Sequence, residues 1–168
     1  MSLIGIDFEM ANGTPGSICA YGIAETDGSI SYAVLALYPV LGGQQERTEY
    51  HGISPELTAN GLEPERLYNR LMDMPEDTIL VAHDARIDRR QLNAWCDMWR
   101  FPRITFPWLD TLKIAQRHFG KTNRNGVAAM AARMGMAVRP HDPVDDAEVA
   151  LQIALRYDWK GIEPMEAA

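Results

Sequence analysis

Cysteine is scarce in this chain, long apolar runs are missing, and there is no surplus of positive charge. Cys19 and Cys96 are the only cysteines and share no CxxC or other paired spacing. That excludes a disulfide framework and a cysteine-based zinc site, and fits reduced thiols in a cytoplasm. No apolar run approaches the ~20 residues needed to cross a bilayer, so no membrane partner is expected. The opening Met1–Met10 reaches Asp7 and Glu9 without a basic stretch, unlike a signal peptide. Disorder is excluded as well, because 46% of the residues are hydrophobic and only 23% charged. The 168 residues read as one domain, with a core over about 3–157 and a short surface tail from Asp158. A chain of this length buries roughly 70% of its unfolded surface and folds without disulfides or structural metal.

The net charge of −7 hides a split. Residues 85–140 carry eleven Lys and Arg against three acids, and no acid stands between Thr111 and Pro140. Such a segment in an acidic chain is either a phosphate-contacting face or solvated helix surface.

The first third reads as strands. Leu3–Glu9 alternates, with Ile4, Ile6 and Phe8 on one side and Asp7 and Glu9 on the other. Asn12–Gly16 is turn chemistry, and Ser17–Glu25 and Ser29–Leu37 are apolar runs joined at Asp27-Gly28, a hairpin signal. Gly42–Thr48 is polar loop. Helices are expected over Glu63–Met74, with Pro64 in its first turn, and around Ile87, Leu92, Trp95, Cys96 and Trp99. Thr78–Ala82 and Phe106–Leu109 read as short strands, with a helix after the second to about Phe119. Asn125–Met134 is helical, and Asp142-Pro143 caps and opens the last helix. Consecutive strands followed by alternating helices and strands indicate an α/β domain with a mixed sheet.

Four acids stand where solvated acids would not. Asp7 and Glu9, two apart on a strand, share one sheet face, although a half-buried strand with a wet side has the same pattern. Asp88 stacks with Leu92, Trp95 and Trp99 on an apolar helical stripe. Asp146 shares a face with Val149, Ala150, Ile153 and Tyr157, whereas Asp145 falls with Glu148, Gln152 and Arg156 on the solvent side. A carboxylate near a core needs a cation or hydrogen bonds, and no Lys or Arg is spaced to pair Asp146 along its helix. Gathered around hard divalent ions such as Mg²⁺ or Mn²⁺, these acids would suit two-metal phosphoryl transfer. His141, in the loop before the Asp146 helix, is placed to act as a base; taken alone it reads as an exposed loop histidine.

Together the pieces resemble the DEDDh family of 3′–5′ exonucleases, nearest the epsilon-subunit-like proofreading branch of bacterial DNA polymerase III. Ile4-Gly5-Ile6-Asp7-Phe8-Glu9 is similar to the first motif, followed by the small-residue hairpin Ser17–Ala24. His51-Gly52-Ile53 is similar to the short element lining the substrate groove, and Leu80–Asp88 to the second motif. Leu109-Asp110-Thr111-Leu112 fits a characteristic helix start, and His141 with Asp146 five positions on is similar to the third motif. The resemblance implies an RNase H-like fold with a five-stranded mixed sheet and two Mg²⁺ or Mn²⁺ ions. It makes Asp7 the bridging ligand, Glu9 and Asp146 ligands on the nucleophile side, Asp88 a further ligand and His141 the general base. Phe8, Met10, Ile53, His83 and Asp84 become the substrate-binding set.

The sequence also departs from the pattern: Met10 replaces the usual Thr, Asp84 the usual Asn and Ile87 the usual Phe. Asp84 reads as the cap of the Asp88 helix or as an added negative charge on the phosphate path, and Ile87 as a core change. Trp95 and Trp99 read as core, while Trp108 and Tyr50 lie near loops. The expected activity is on single-stranded DNA 3′ ends. An exoribonuclease of the RNase T or oligoribonuclease kind is the rival within the family. A silent module binding nucleic acid or a replication or repair protein is the rival outside it, and an endonuclease or phosphatase is a weaker third. Lacking the polymerase-binding tail of a replicative proofreading subunit, the chain is expected to act as a stand-alone enzyme; its oligomeric state is open.

Overall fold

The computed structural model describes residues 1–37, 46–139 and 141–166; most of the expected polar loop at 42–48, and Pro140, lie outside them. Five strands form one mixed sheet: β1 (Ser2–Met10), β2 (Ile18–Glu25), β3 (Ile30–Val34), β4 (Thr78–Ala82) and β5 (Trp108–Asp110), in the order β3-β2-β1-β4-β5. The first three are antiparallel, whereas β4 and β5 add in parallel to β1. This is the mixed five-stranded sheet expected from the resemblance. The helices are α1 (Thr48–His51), α2 (Pro55–Ala59), α3 (Glu65–Met72), α4 (Ala85–Trp99), α5 (Thr111–Phe119), α6 (Val127–Met134) and α7 (Pro143–Arg156).

Each face of the sheet has its own core, as the alternation of β1 requires. Ile4, Ile6 and Phe8 pack with Leu67 and Leu71 of α3 and Leu92 and Trp95 of α4. On the opposite face Val81 and Leu109 pack against α5, α6 and α7 through Ile114, Met130, Val149 and Ile153. The Asp7 and Glu9 face of β1 is thus covered by a helix.

Two glycines let α7 lie close on the sheet. A Cβ at Gly5 would sit 2.2 Å from the Ala147 carbonyl oxygen, and one at Gly22 would sit 2.1 Å from that of Pro143. The start of α7 is fixed by Asp142, whose carboxylate accepts hydrogen bonds from the Val144 and Asp145 N–H groups at 3.1 and 3.3 Å. This is the expected Asp cap with Pro143 in the first turn. Asp110 caps α5 in the same way, accepting from Leu112 N–H at 3.0 Å.

Several expectations are corrected. The tail from Asp158 does run on the surface, exposed or half-buried, but it is also tied to the sheet: Met165 exchanges backbone hydrogen bonds of 2.9 and 2.7 Å with Trp108, and Arg89 donates to the Glu166 carbonyl. Ile87 is 49% exposed, because it lies off the Asp88–Leu92–Trp95 stripe, so it is not a core residue. Asp84 occupies the capping position of α4, but its backbone is left-handed (φ 62°) and its carboxylate pairs with Arg86 instead of capping. Pro64 opens α3 as expected, helical at φ −52° with its carbonyl accepting from Tyr68 N–H, whereas α1 and α2 were not foreseen.

Candidate active site

The site forms at the C-terminal end of β1, where the strand leaves its parallel partner. Pairing of β1 with β4 stops at Gly5, and the β1–β2 register breaks between Glu9 and Met10. Such an irregularity re-aims side chains at a strand end. Asp7 lies opposite Gly22 in the β1–β2 ladder, so the first turn of α7 can descend beside it. One carboxylate oxygen from each of Asp7, Glu9 and Asp146 then lies within 4.8 Å of the others. Asp145, the neighbour on the same helix, turns away: it accepts the Arg139 backbone N–H at 2.7 Å and pairs with the Arg139 guanidinium at 3.1 Å.

Asp88 enters from the opposite layer, on the first turn of α4, and is 5% exposed. It is not one of the three clustered acids, yet its charge is the largest acting on Asp7. Burial, then Asp88, Asp146 and Glu9, hold the Asp7 carboxyl well above the ordinary carboxylate range. Burial and the Asp146 charge raise Glu9 to about 8, with Arg47 acting the other way. Burial, then Asp145 and Asp142, raise Asp146 to about 6. Burial also raises Asp88, partly offset by hydrogen bonds from its own backbone and that of Phe8.

Such a cluster of partly buried like charges calls for a counter-charge. The donor set is oxygen only, which fits hard divalent cations of the Mg²⁺ or Mn²⁺ kind. Cys19 is not among the ligands: burial pushes its thiol up to about 12, and the S–H donates to the Glu9 carbonyl at 3.2 Å.

The other expected residues divide. His141 is exposed at the rim, with a positive φ of 57°, and with Asp146 it lines a cavity of about 420 Å³. Phe8 and Ile53 are buried, at 3% and 4% exposure, while Met10 and Asp84 are half-buried. His83 is turned toward α5, hydrogen-bonded through Nδ1 to the Thr111 hydroxyl at 3.0 Å, and the Thr111 hydroxyl donates in turn to the Ala82 carbonyl. Trp95 and Trp108 are each 1% exposed, so neither is a stacking surface; Tyr50 is 68% exposed. Within the basic segment, Arg86, Arg89 and Arg90 sit with Asn93, Asp97 and Arg103 around a separate surface cavity of about 480 Å³. Those on α4 project from faces of the helix other than the one carrying Asp88.

Three residues around the site were not singled out from the sequence: Arg47, His51 as an anchor, and Gly22. His51 Nε2–H donates to the Met10 carbonyl at 3.2 Å, and Nδ1 accepts from Ile53 N–H at 3.0 Å. The only sequence signal was His51-Gly52-Ile53 itself, where Gly52 takes φ 73°.

The exonuclease profile of the RNase T family matches residues 4–154. PolC-type DNA polymerase III of Streptococcus pneumoniae is 31% identical over 102 residues, which is 60% of this chain and 7% of that protein. The PolC-type enzyme of Thermotoga maritima is 29% identical over 114 residues, 67% of this chain and 8% of that protein. The chain therefore spans less than a tenth of the length of these relatives. Among solved structures, the nuclease domain of 3′hExo, a DEDDh family member bound to rAMP, superposes with a TM-score of 0.67 at 16% identity, covering 92% of this chain and 90% of that one. The RNase domain of yeast Pop2 gives 0.63 at 13% identity, covering 90% and 73%. The sheet and its flanking helices are accordingly the RNase H-like fold of the DEDDh exonucleases. Among the described residues no helix is long and apolar enough to cross a membrane.

Proposed function

The chain belongs to the RNase T exonuclease family, and from that premise we propose that it is a metal-dependent 3′–5′ exonuclease. It would hydrolyse the terminal phosphodiester of single-stranded ends, DNA foremost, and release nucleoside 5′-monophosphates. The observation that carries this reading is the convergence of Asp7, Glu9 and Asp146 within 4.8 Å, with the Asp88 charge also acting on Asp7 from the facing layer.

Asp7, Glu9 and Asp146 would hold two Mg²⁺ or Mn²⁺ ions through their carboxylate oxygens. Asp88 would hold the site directly or through a bound water. Bound there, the ions would stabilise charge developing on the phosphoryl oxygens and favour ionisation of the attacking water. His141, exposed at the rim, would take the proton of that water and release it to solvent. Because the Phe8 side chain is committed to the core, its contact with a terminal nucleotide would be through the backbone, beside Met10. Ile53 would line the groove, and His83 and Asp84 would shape its floor at the start of α4.

The polymerase relatives make DNA the first substrate to test and a replication or repair protein the class of partner. A second reading, exoribonuclease, is supported by the structural neighbour bound to rAMP. The test is a time course on 5′-labelled single-stranded DNA and RNA of one sequence, with Mg²⁺, Mn²⁺ or EDTA, and with Asp7→Ala alongside. A metal-dependent ladder that shortens from the 3′ end and is lost in Asp7→Ala is expected, and the faster polymer names the branch. A folded, metal-binding wild type that yields no ladder on either polymer would replace the exonuclease reading with a silent binding module.

A further inference from the structure

Among the described residues nothing hydrogen-bonds to the His141 ring; Tyr50 stands edge-on to it, with centroids 6.3 Å apart and planes at 77°. A catalytic base is ordinarily oriented by a third group. Here the placement of the ring falls to the backbone that carries it. That backbone is left-handed, at φ 57°, a conformation that a residue with a Cβ keeps where its surroundings over-determine it.

Arg139 supplies the constraint. Its carbonyl accepts the Asp142 N–H at 3.3 Å, closing a turn around His141. Its own N–H donates to the Asp145 carboxylate at 2.7 Å, and its Nε to the same oxygen at 3.1 Å. Its Nη2 pairs with Asp142 Oδ2 at 2.8 Å, while Oδ1 of that carboxylate caps α7 on the Val144 and Asp145 N–H groups. One arginine thus fastens both ends of the turn to the start of the helix that carries Asp146. A lone exposed ion pair would hold little. This one joins two carboxylates of a single helix and is reinforced by main-chain hydrogen bonds at Arg139 itself. His141 and Asp146 line the same cavity of about 420 Å³, so fixing the turn against α7 fixes the histidine relative to the clustered acids.

We propose that Arg139 is a positioning residue, which clamps the turn carrying His141 onto the start of α7 and so aims the imidazole at the site beside Asp146. The clamp rests on the exonuclease reading, in which His141 is the base. Neutralising Asp145 leaves it in place: asparagine keeps an oxygen for the Arg139 backbone N–H, and Asp142 keeps the guanidinium.

The test compares wild type, Arg139→Gln, Arg139→Lys, His141→Ala and the Arg139→Gln/His141→Ala double variant. The readouts are kcat and KM on a labelled single-stranded oligonucleotide, Mg²⁺ affinity by calorimetry, the melting temperature, and the ¹H–¹⁵N heteronuclear NOE of the His141 amide. Arg139→Gln is expected to lower kcat by about tenfold to a hundredfold, the scale of misplacing a reacting group, with KM, Mg²⁺ affinity and melting temperature near those of the wild type. Arg139→Lys, which keeps the charge but not the fork, should recover part of the rate. In the His141→Ala background Arg139→Gln should cost nothing further, because it acts through the imidazole. An additive loss in the double variant overturns the clamp, and so does a full rate in Arg139→Gln where His141→Ala is impaired. If the wild type is inactive, or His141→Ala keeps the full rate, the exonuclease reading or the base role fails by itself and the NOE decides the clamp. A lower NOE at His141 in Arg139→Gln upholds it, and an unchanged one overturns it.

Discussion

Gly22 sits directly opposite Asp7 in the β1–β2 ladder, and the space its missing Cβ leaves is filled by the Pro143 carbonyl, 2.1 Å from where that carbon would be. The distance between the Asp7 and Asp146 carboxylates is therefore set by the absence of a side chain. Gly5, two residues before Asp7, does the same one turn along α7 at Ala147. The two close approaches clamp the helix at successive turns.

Gly22→Ala forces backbone apart at the first turn of α7. Overpacking of this kind costs about 1–3 kcal/mol, and the strain lies under Asp146. Thermal melts should show a loss of several degrees, and calorimetric titration a clear loss of Mg²⁺ or Mn²⁺ affinity. Gly5→Ala, whose clash is farther along the helix, should lower stability comparably with a smaller effect on metal affinity. Equal metal affinity in Gly22→Ala and wild type would show that α7 adjusts without moving Asp146.

The carboxylate cluster ties the stability of the metal-free protein to pH. Asp7, Glu9, Asp88 and Asp146 all have folded-state pKa values above their unfolded values of about 4. Groups shifted upward contribute stability that is fully present below the unfolded pKa and lost as pH rises through the folded one. The loss should therefore begin above about pH 4, and level off once pH has passed about 6 for Asp146 and about 8 for Glu9. In EDTA the melting temperature should fall across that window. Saturating Mg²⁺ should flatten the fall, because bound metal favours the ionised forms. A melting temperature in EDTA that rises or stays level from pH 5 to pH 9 would contradict the burial of these acids.

The parts of this arrangement that were legible in the sequence are those written in a local period. Strand spacing puts Asp7 and Glu9 on one face, helix spacing separates Asp146 from Asp145, and Asp142-Pro143 announces the start of α7; that the strand face is more than a wet side came only with the resemblance. What was hidden depends on contacts distant in sequence. Nothing local to Gly22 says that a helix 120 residues later will need its space. The pairing of Met165 with Trp108, which ties the tail to β5, is equally non-local. The helices α1 and α2, of four and five residues, are too short to show any period; only Ser54-Pro55, a cap followed by a first-turn proline, marked one of them. Asp84 was misread because its residue type suits a cap, whereas its left-handed backbone turns the side chain to Arg86.

Asp145 and Asp146 give an internal control for the site. Asp146→Asn should lower kcat by at least about a hundredfold, the scale of losing one electrostatic contact to the transition state, without a drop in melting temperature. Asp145→Asn should leave kcat little changed, because its carboxylate is engaged with Arg139. Cleavage rates of the two variants on one labelled oligonucleotide decide this. A larger loss in Asp145→Asn would mean that the wrong carboxylate had been assigned to the metal.

Asp84 offers the opposite experiment, one expected to improve function. Its backbone is left-handed at φ 62° and ψ 52°, a region that asparagine tolerates at least as well as aspartate. Its carboxylate is held by Arg86 at 2.9 Å at the partly exposed start of α4, four residues from Asp88, where on the exonuclease reading it would add negative charge beside the substrate. Asp84→Asn removes that charge, frees Arg86 to meet a phosphate and gives up only an ion pair with a largely exposed partner, worth little. The melting temperature should hold, and KM for a single-stranded oligonucleotide should fall with kcat unchanged, more so at low salt because the effect is electrostatic. A rise in KM would show instead that the Asp84–Arg86 pair holds the start of α4 in the conformation that presents Asp88.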